Sequence, residues 1–499
     1  VTVIRLLALA LLAHELLYLT RDGEEYLKRC FVPTLGLRLG SRVHYALHLV
    51  FMAACGWTAV QPDAVAAHLA VFVLLLLVIA SYSLRVSNHL VLSAFFLAAA
   101  LAADGVRLAG GSAAESRALL LVGVQWLMIA TYLLAFTHKL NRSFLSLDGY
   151  AGNFAAFMCW DRGLEAPYLV DLVRRYAVVS TLVYELGIPV LLIVPQTRNV
   201  GVLAGIAFHF GLALLGIVNF SAVMYAGLAA FLLDAQSSTW PWPHSVPLFA
   251  AAGAVACAMV WLITPRRANW QLPYRRRGPA WVIQSCFGVL TAWFVLELAQ
   301  TLAGPSAWRP EAPDPGRYWP AAAVLLVLYT GNGLAPYLGL KTEFSMTMFS
   351  NLHCKDWNHL VFPAPWHRSN QARYLTVERI EGLPDADGID AADGAAELAL
   401  TVLSHPQDYE YRPYFFFEAL ERVGRAARQP PEVTVALRFG GRGYTVTASG
   451  RCSAASLRPE GFPRWRRLNL FPFVLPVSAS APHSEQGSVL SSDRERQLF

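Results

Sequence analysis

The sequence predicts a polytopic α-helical membrane protein with a smaller α/β part at its C-terminal end. Three observations carry that reading. The 499 residues are 55% hydrophobic and only 15% charged, against about 25% charged in an ordinary soluble domain. The charge is uneven: 36 Asp, Glu, Lys and Arg fall between Leu340 and Phe499, leaving 38 for the first 339 residues. Long apolar runs recur through that first part. One soluble globular core and a disordered chain are both excluded. The net charge of +6 is modest, and no basic block interleaved with aromatics argues for nucleic acid.

A bilayer core needs about 20 apolar residues per helix. Eleven runs qualify: Val3–Leu19, Tyr45–Val60, Ala64–Leu84, Leu90–Val106, Ala118–Leu140, Ala177–Val194, Val200–Val218, Phe220–Leu233, Val246–Thr264, Trp281–Leu302 and Tyr318–Leu338. The first has the basic start of a signal peptide, but His14 and Glu15 sit late in it, which suits a retained helix. Val200–Leu233, interrupted by Asn219, fits either two short spans or a re-entrant unit. Organisation follows as a transmembrane domain over 1–339, an α/β domain over 340–477 and a disordered Ser-rich tail over 478–499.

Loop charge sets orientation. The loops after the first, third, fifth and ninth runs hold sixteen Lys and Arg, and the opposite set holds five. Charge therefore places the richer set in the cytoplasm, together with the C-terminal part if all eleven runs cross.

In the C-terminal part, Val433–Leu437 and Tyr444–Ala448 alternate around a glycine-bearing turn, which predicts a hairpin. Arg373–Ile380 and Glu397–Leu403 are further strand candidates. Pro413–Arg428 reads as a helix opened by proline, with Phe415, Phe416, Leu420 and Val423 on its apolar side.

The seven cysteines are scattered and contain no CxxC, so a zinc site is not expected. Cys55, Cys257 and Cys286 read as small hydrophobes. One disulfide among the other four remains open.

Ionisable residues at bilayer depth are costly and mark functional candidates. Here they are Glu15, His48, His68, His89, Lys139, Glu185, His209 and Glu297. For His48 and His68 the expected role is a buried ring bonded to a neighbouring carbonyl. Lys139 ends the fifth run beside His138. It suits either a lysine snorkelling to the headgroups or a desolvated amine able to act as a base. Pro189 frees the carbonyl of Glu185 from its helical bond, and Glu185 reads first as a structural partner for a basic group. His209, in apolar surroundings, reads as a neutral ring with one hydrogen bond.

Three stretches together resemble a known family. They are Ala135–Gly149 (AFTHKLNRSFLSLDG), Glu185-Leu-Gly-Ile-Pro189, and Phe208-His-Phe followed by Asn219-Phe-Ser and Met224. Their order and spacing resemble the HTTM membrane domain, shared by vitamin K-dependent gamma-glutamyl carboxylase and many bacterial membrane proteins. Asn332–Asn351 looks like the stretch that enters the C-terminal part of bacterial members.

The resemblance implies a lyase-type reaction. A lysine matching Lys139 deprotonates a reduced quinone of the vitamin K hydroquinone or menaquinol type. O2 then adds, and the strong base so formed removes a glutamate γ-hydrogen before CO2 traps the carbanion. Lys139 and His209 would be catalytic, and His138 and Glu185 would bind the quinone. No metal is implied. Partners would be the lipid bilayer, a lipid quinone and a peptide or protein substrate, in a bacterial cytoplasmic membrane. The family places the lysine side and the C-terminal part outside the cytoplasm, opposite to the charge count.

The sequence departs from the carboxylase at three places. Asp104–Arg117 contains no histidine, Val246–Thr264 is extra, and the compact C-terminal part shows no propeptide-binding segment. A second reading is a non-catalytic protein that keeps the helical scaffold for peptide maturation, export or immunity.

Overall fold

The computed structural model describes residues 2–22, 39–81, 88–147, 149–164, 166–214, 217–232, 246–263, 278–303, 316–338, 345–346, 350, 352, 357–362, 375–385, 388–389, 396, 400, 403, 409–411, 413–429, 431–439, 442–449 and 475–476. The described residues are mostly helical and include one small sheet. Among the described residues, apart from the single turn Arg142–Leu145, twelve α-helices come first: α1 Thr2–Asp22, α2 Ser41–Val60, α3 Val65–Ser81, α4 Asn88–Leu108, α5 Ala113–Lys139, α6 Tyr150–Asp161, α7 Pro167–Ile193, α8 Arg198–Leu214, α9 Val218–Ala229, α10 Val246–Ile263, α11 Gly278–Ala303 and α12 Trp319–Gly333. All but α6 coincide with the eleven apolar runs. Among the described residues, five stretches, Arg42–Val60, Asn88–Leu108, Ala113–Lys139, Pro167–Ile193 and Pro195–Leu214, are long and apolar enough to cross a membrane.

α5 is the axis of the bundle. It packs on α4, α7, α9 and α12, and 78% of its most apolar window is buried, against 28% for α7. α7 therefore turns a wide apolar face outward, with Val179, Val183, Leu186 and Val190 exposed. Lipid is the solvent that makes such a face favourable. The start of α5 is fixed by a capping box: the Glu115 amide donates to Ser112 Oγ at 3.1 Å, and the Ser112 amide donates to the Glu115 carboxylate at 2.8 Å. Close approach to the neighbouring helices uses small residues. A Cβ on Gly227 of α9 would collide with Met128, and one on Gly333 of α12 with Leu134.

Within Val200–Leu233 the chain forms two helices. The second, α9, has only 12 residues, about 18 Å at 1.5 Å per residue. It is buried almost throughout and packs among α1, α5 and α8. Asn219 lies in its first turn rather than in a break between spans.

The C-terminal sheet has the strands β1 Leu375–Glu381, β2 Tyr409–Tyr411, β3 Glu432–Phe439, β4 Arg442–Ser449 and β5 Leu475–Pro476, in the order β4-β3-β1-β2-β5, all antiparallel. The hairpin is β3–β4, with Val433 opposite Ala448 and Leu437 opposite Tyr444. Helix α13, Pro413–Ala426, lays Phe416, Phe417, Leu420 and Val423 on Leu375, Val377, Val435 and Leu437.

The strand expected over Glu397–Leu403 is corrected. Leu400 and Leu403, like Ala396 just before, are helical and buried in the same core, at the i, i+4, i+7 spacing that lines one helix face. The tail beyond 477 and the side chain of Phe415 lie outside the described residues. Cys55, Cys159, Cys257 and Cys286 are free; Cys55 and Cys159 are buried, whereas Cys286 is exposed rather than packed as a small hydrophobe.

Candidate functional site

Lys139 is the last residue of α5, and its side chain turns back into the bundle. Nζ donates to Glu185 Oε1 of α7 at 2.8 Å, with both side chains less than a tenth exposed. The snorkelling alternative is therefore not the one adopted. The Phe144 ring lies 5.7 Å from Nζ. Two turns before Lys139, and so on the same face of α5, the Tyr132 hydroxyl shares a 2.8 Å hydrogen bond with Nε2 of His209 on α8. Tyr132 and His209 are fully buried. Three helices thus bring an amine, a carboxyl, a phenol and an imidazole into one dry layer.

Hydrogen bonding in that layer is incomplete. Among the described residues, Glu185 Oε2, His209 Nδ1 and Asn219 Oδ1 are buried without a hydrogen-bond partner, and each such atom costs about 1–3 kcal/mol. Aromatic surfaces border them. Phe220 lies 5.6 Å from the His209 ring, and Tyr184 stacks on Phe208 at 5.3 Å. These groups can move a proton, hold an ion pair away from water, and accept or donate hydrogen bonds to a flat ligand.

His138 faces elsewhere. Its Nε2 bonds the Ser345 carbonyl at 2.8 Å, its Nδ1 meets the Tyr337 hydroxyl at 3.0 Å, and the two rings stack. It is not brought together with Lys139, Glu185 and His209. It fastens the segment that follows α12 onto the end of α5. Asn141 does the same work more completely. Its amide donates to the carbonyls of His138 and Ser350, and its carbonyl accepts from the Phe144 amide and the Asn358 side chain. The described part of 345–362 accordingly lies over the lysine end of the bundle.

The remaining candidates form separate pairs. Glu15 Oε2 meets His48 Nδ1 at 2.6 Å, between α1 and α2, and His89 Nε2 meets His14 Nδ1 at 2.9 Å, between α4 and α1. His68 bonds Asp104 at 2.7 Å and the Pro62 carbonyl at 2.9 Å. The carbonyl partner expected for His48 and His68 is thus joined for His68, and replaced for His48, by a carboxylate. Ring N–H groups pair more strongly with an ionised oxygen. The side chain of Glu297 lies outside the described residues.

Sequence reasoning missed Tyr132 and Asp104. The signal for Tyr132 was its i, i+7 spacing to Lys139 on one helix. For Asp104 it was a lone acid inside the apolar run Leu90–Val106. Among the described residues no group of three or more His, Cys, Asp or Glu is placed to hold a metal ion. No family model matches the sequence, and neither a curated protein nor a solved structure matches it.

Proposed function

We propose that this protein is a multi-pass membrane enzyme of the HTTM type, resembling vitamin K-dependent gamma-glutamyl carboxylase, with eleven spans in a bacterial cytoplasmic membrane. Lys139 serves as the base that takes a proton from a reduced lipid quinone. One observation carries the reading. A lysine–carboxylate pair and a tyrosine–histidine pair are buried along one face of α5, and two of their polar atoms, Glu185 Oε2 and His209 Nδ1, have no hydrogen-bond partner among the described residues.

The residues fit a hydroquinone ring. A hydroquinone hydroxyl can hydrogen-bond with Glu185 Oε2 or with His209 Nδ1, and the flat apolar body of the hydroquinone suits the aromatic rings of Tyr184, Phe208 and Phe220. When bound, the reduced quinone supplies the acidic O–H and the reducing electrons, with O2 and CO2 as further substrates under the carboxylase reading.

The protein's own part is proton handling in a dry site. Transfer of one proton from Nζ to Oε1 across 2.8 Å leaves a neutral amine, the form that can accept a proton. Tyr132 holds the His209 ring in one orientation, so that Nδ1 presents itself to the ligand. Burial excludes water, which would quench a strong base.

The test is to purify the full chain with its native lipid, identify any bound quinone by mass spectrometry, and measure quinol consumption for wild type and Lys139→Ala. Loss of consumption in a well-expressed variant supports the reading. Equal consumption in both, or wild type that neither retains nor consumes a quinol, supports the non-catalytic scaffold instead.

A further inference from the structure

The segment over the lysine end of α5 is fastened by a second histidine. His359 Nε2 bonds the Thr137 carbonyl in the last turn of α5 at 2.8 Å. Its other nitrogen, Nδ1, accepts from the amides of Val361 at 3.1 Å and Phe362 at 3.0 Å. A carbonyl only accepts and an amide N–H only donates. These partners therefore assign one tautomer: hydrogen on Nε2, lone pair on Nδ1. Flanking backbone bonds complete the joint. The Leu360 amide donates to the Leu140 carbonyl at 2.9 Å, and the Arg142 amide donates to the Asn358 carbonyl at 3.1 Å.

A second proton on His359 has only Nδ1 to occupy, and there it points at two amide hydrogens. Both bonds of the 359–362 turn would be lost, and two backbone donors would face a cation. We propose that His359 is a proton-sensitive fastener, holding segment 357–362 on the end of α5 when neutral and releasing it when protonated.

The surroundings support this. His359 is buried against the rings of Tyr337, Trp357 and Phe362; a ring face attracts a cation weakly but gives its second N–H no lone pair in place of the two amide bonds. Burial holds its pKa below the ordinary histidine value, with the Thr137 carbonyl working weakly the other way. Among the described residues, the titratable groups facing it are Tyr337 and, through the end of α5, His138 with Lys139 behind it. Both cationic forms of α5's last two residues would disfavour a charge on His359, and no described carboxylate faces it.

The sign follows from the lowered pKa. The fastened state binds its proton less readily than the released state does. Fastening is therefore complete above the ordinary histidine range, near 6.5, and weakens as pH falls from there toward the lowered value, by up to about tenfold per pH unit for one proton. The proposal does not depend on the reaction proposed above.

The test is hydrogen exchange at the amides of Leu360, Val361 and Phe362 in the full chain, from pH 7.5 to 5, corrected for intrinsic exchange. Protection should fall by up to about tenfold per unit below pH 6.5 in wild type. In His359→Asn the side-chain oxygen can still accept from both amides but cannot titrate, so protection should be flat with pH. If His359→Asn shows no protection at any pH, His359→Gln, which keeps a donor for Thr137, replaces it under the same criterion. A flat wild-type profile overturns the proposal, and so does an equal fall in the non-titrating variant, which would place the proton elsewhere.

Discussion

Lys139 and Glu185, 46 residues apart in sequence, meet at 2.8 Å inside a layer closed to solvent. The pair ties the C-terminal end of α5 to the last third of α7, so the bundle's axis and a long helix with a wide exposed face are joined by one charge-assisted bond. Its energetic character follows from burial: neither partner is tolerable without the other.

Replacing Lys139 by Ala should therefore cost about 3–5 kcal/mol, because the Glu185 carboxylate is left buried and uncompensated. The double variant Lys139→Met with Glu185→Leu should recover most of that loss. Thermal unfolding in one detergent, compared across wild type, single and double variants, checks it. A double variant no more stable than the single one would show that the pair is not an isolated unit.

Removing the Tyr132 hydroxyl leaves His209 Nε2 buried without its partner. Tyr132→Phe should lower stability by about 1–3 kcal/mol and reduce quinol-dependent turnover while leaving the Lys139–Glu185 bond in place. Turnover equal to wild type would remove Tyr132 from the site.

Asn141 satisfies four hydrogen-bonding groups at the joint between α5 and the segment after α12. Asn141→Ala should loosen that segment by about 1–3 kcal/mol. The readout is exchange of the Leu360 amide, the donor to the Leu140 carbonyl, which should rise by about tenfold or more. An unchanged rate would mean that His138 and His359 suffice.

In the C-terminal part, Phe417 is 1% exposed and lies in the core between α13 and the sheet. Phe417→Ala should cost about 3–5 kcal/mol there. If the two parts unfold separately, only one calorimetric transition should move. A shift of the helical bundle's transition by the same amount would show that they unfold as one.

If all eleven apolar helices cross, as proposed, the loops at 61–64, 109–112 and 194–197 lie on one face and the start of α6 on the other. Single cysteines at Asp63, Gly110 and Gln196 should label together, opposite to one at Tyr150, in a background without other reactive thiols. Disagreement among the first three would identify a helix that does not cross, with the 12-residue α9 as the first suspect.

The sequence by itself determined that this is a helical membrane protein, where its helices run, and that a β-hairpin and an amphipathic helix follow. Those features are written in local chemistry: apolar run length, period, capping and turn residues act over a few neighbours. It also singled out Lys139, Glu185 and His209, because an ionisable group in an apolar run is conspicuous wherever it ends up.

Tertiary structure alone decided their partners. Which of many buried polar groups meet depends on how α5, α7 and α8 rotate and pack, and packing is set by close fit across the whole bundle rather than by any one segment. Thus Lys139 found Glu185, and His209 found Tyr132 rather than the carboxyl group. His138, adjacent to Lys139 in sequence, turned about 100° away around the helix and became a fastener for a segment some 200 residues on. The helical state of Leu400 and Leu403 was hidden for a related reason: short apolar stretches carry no reliable period, and the sheet these two side chains pack against chose for them.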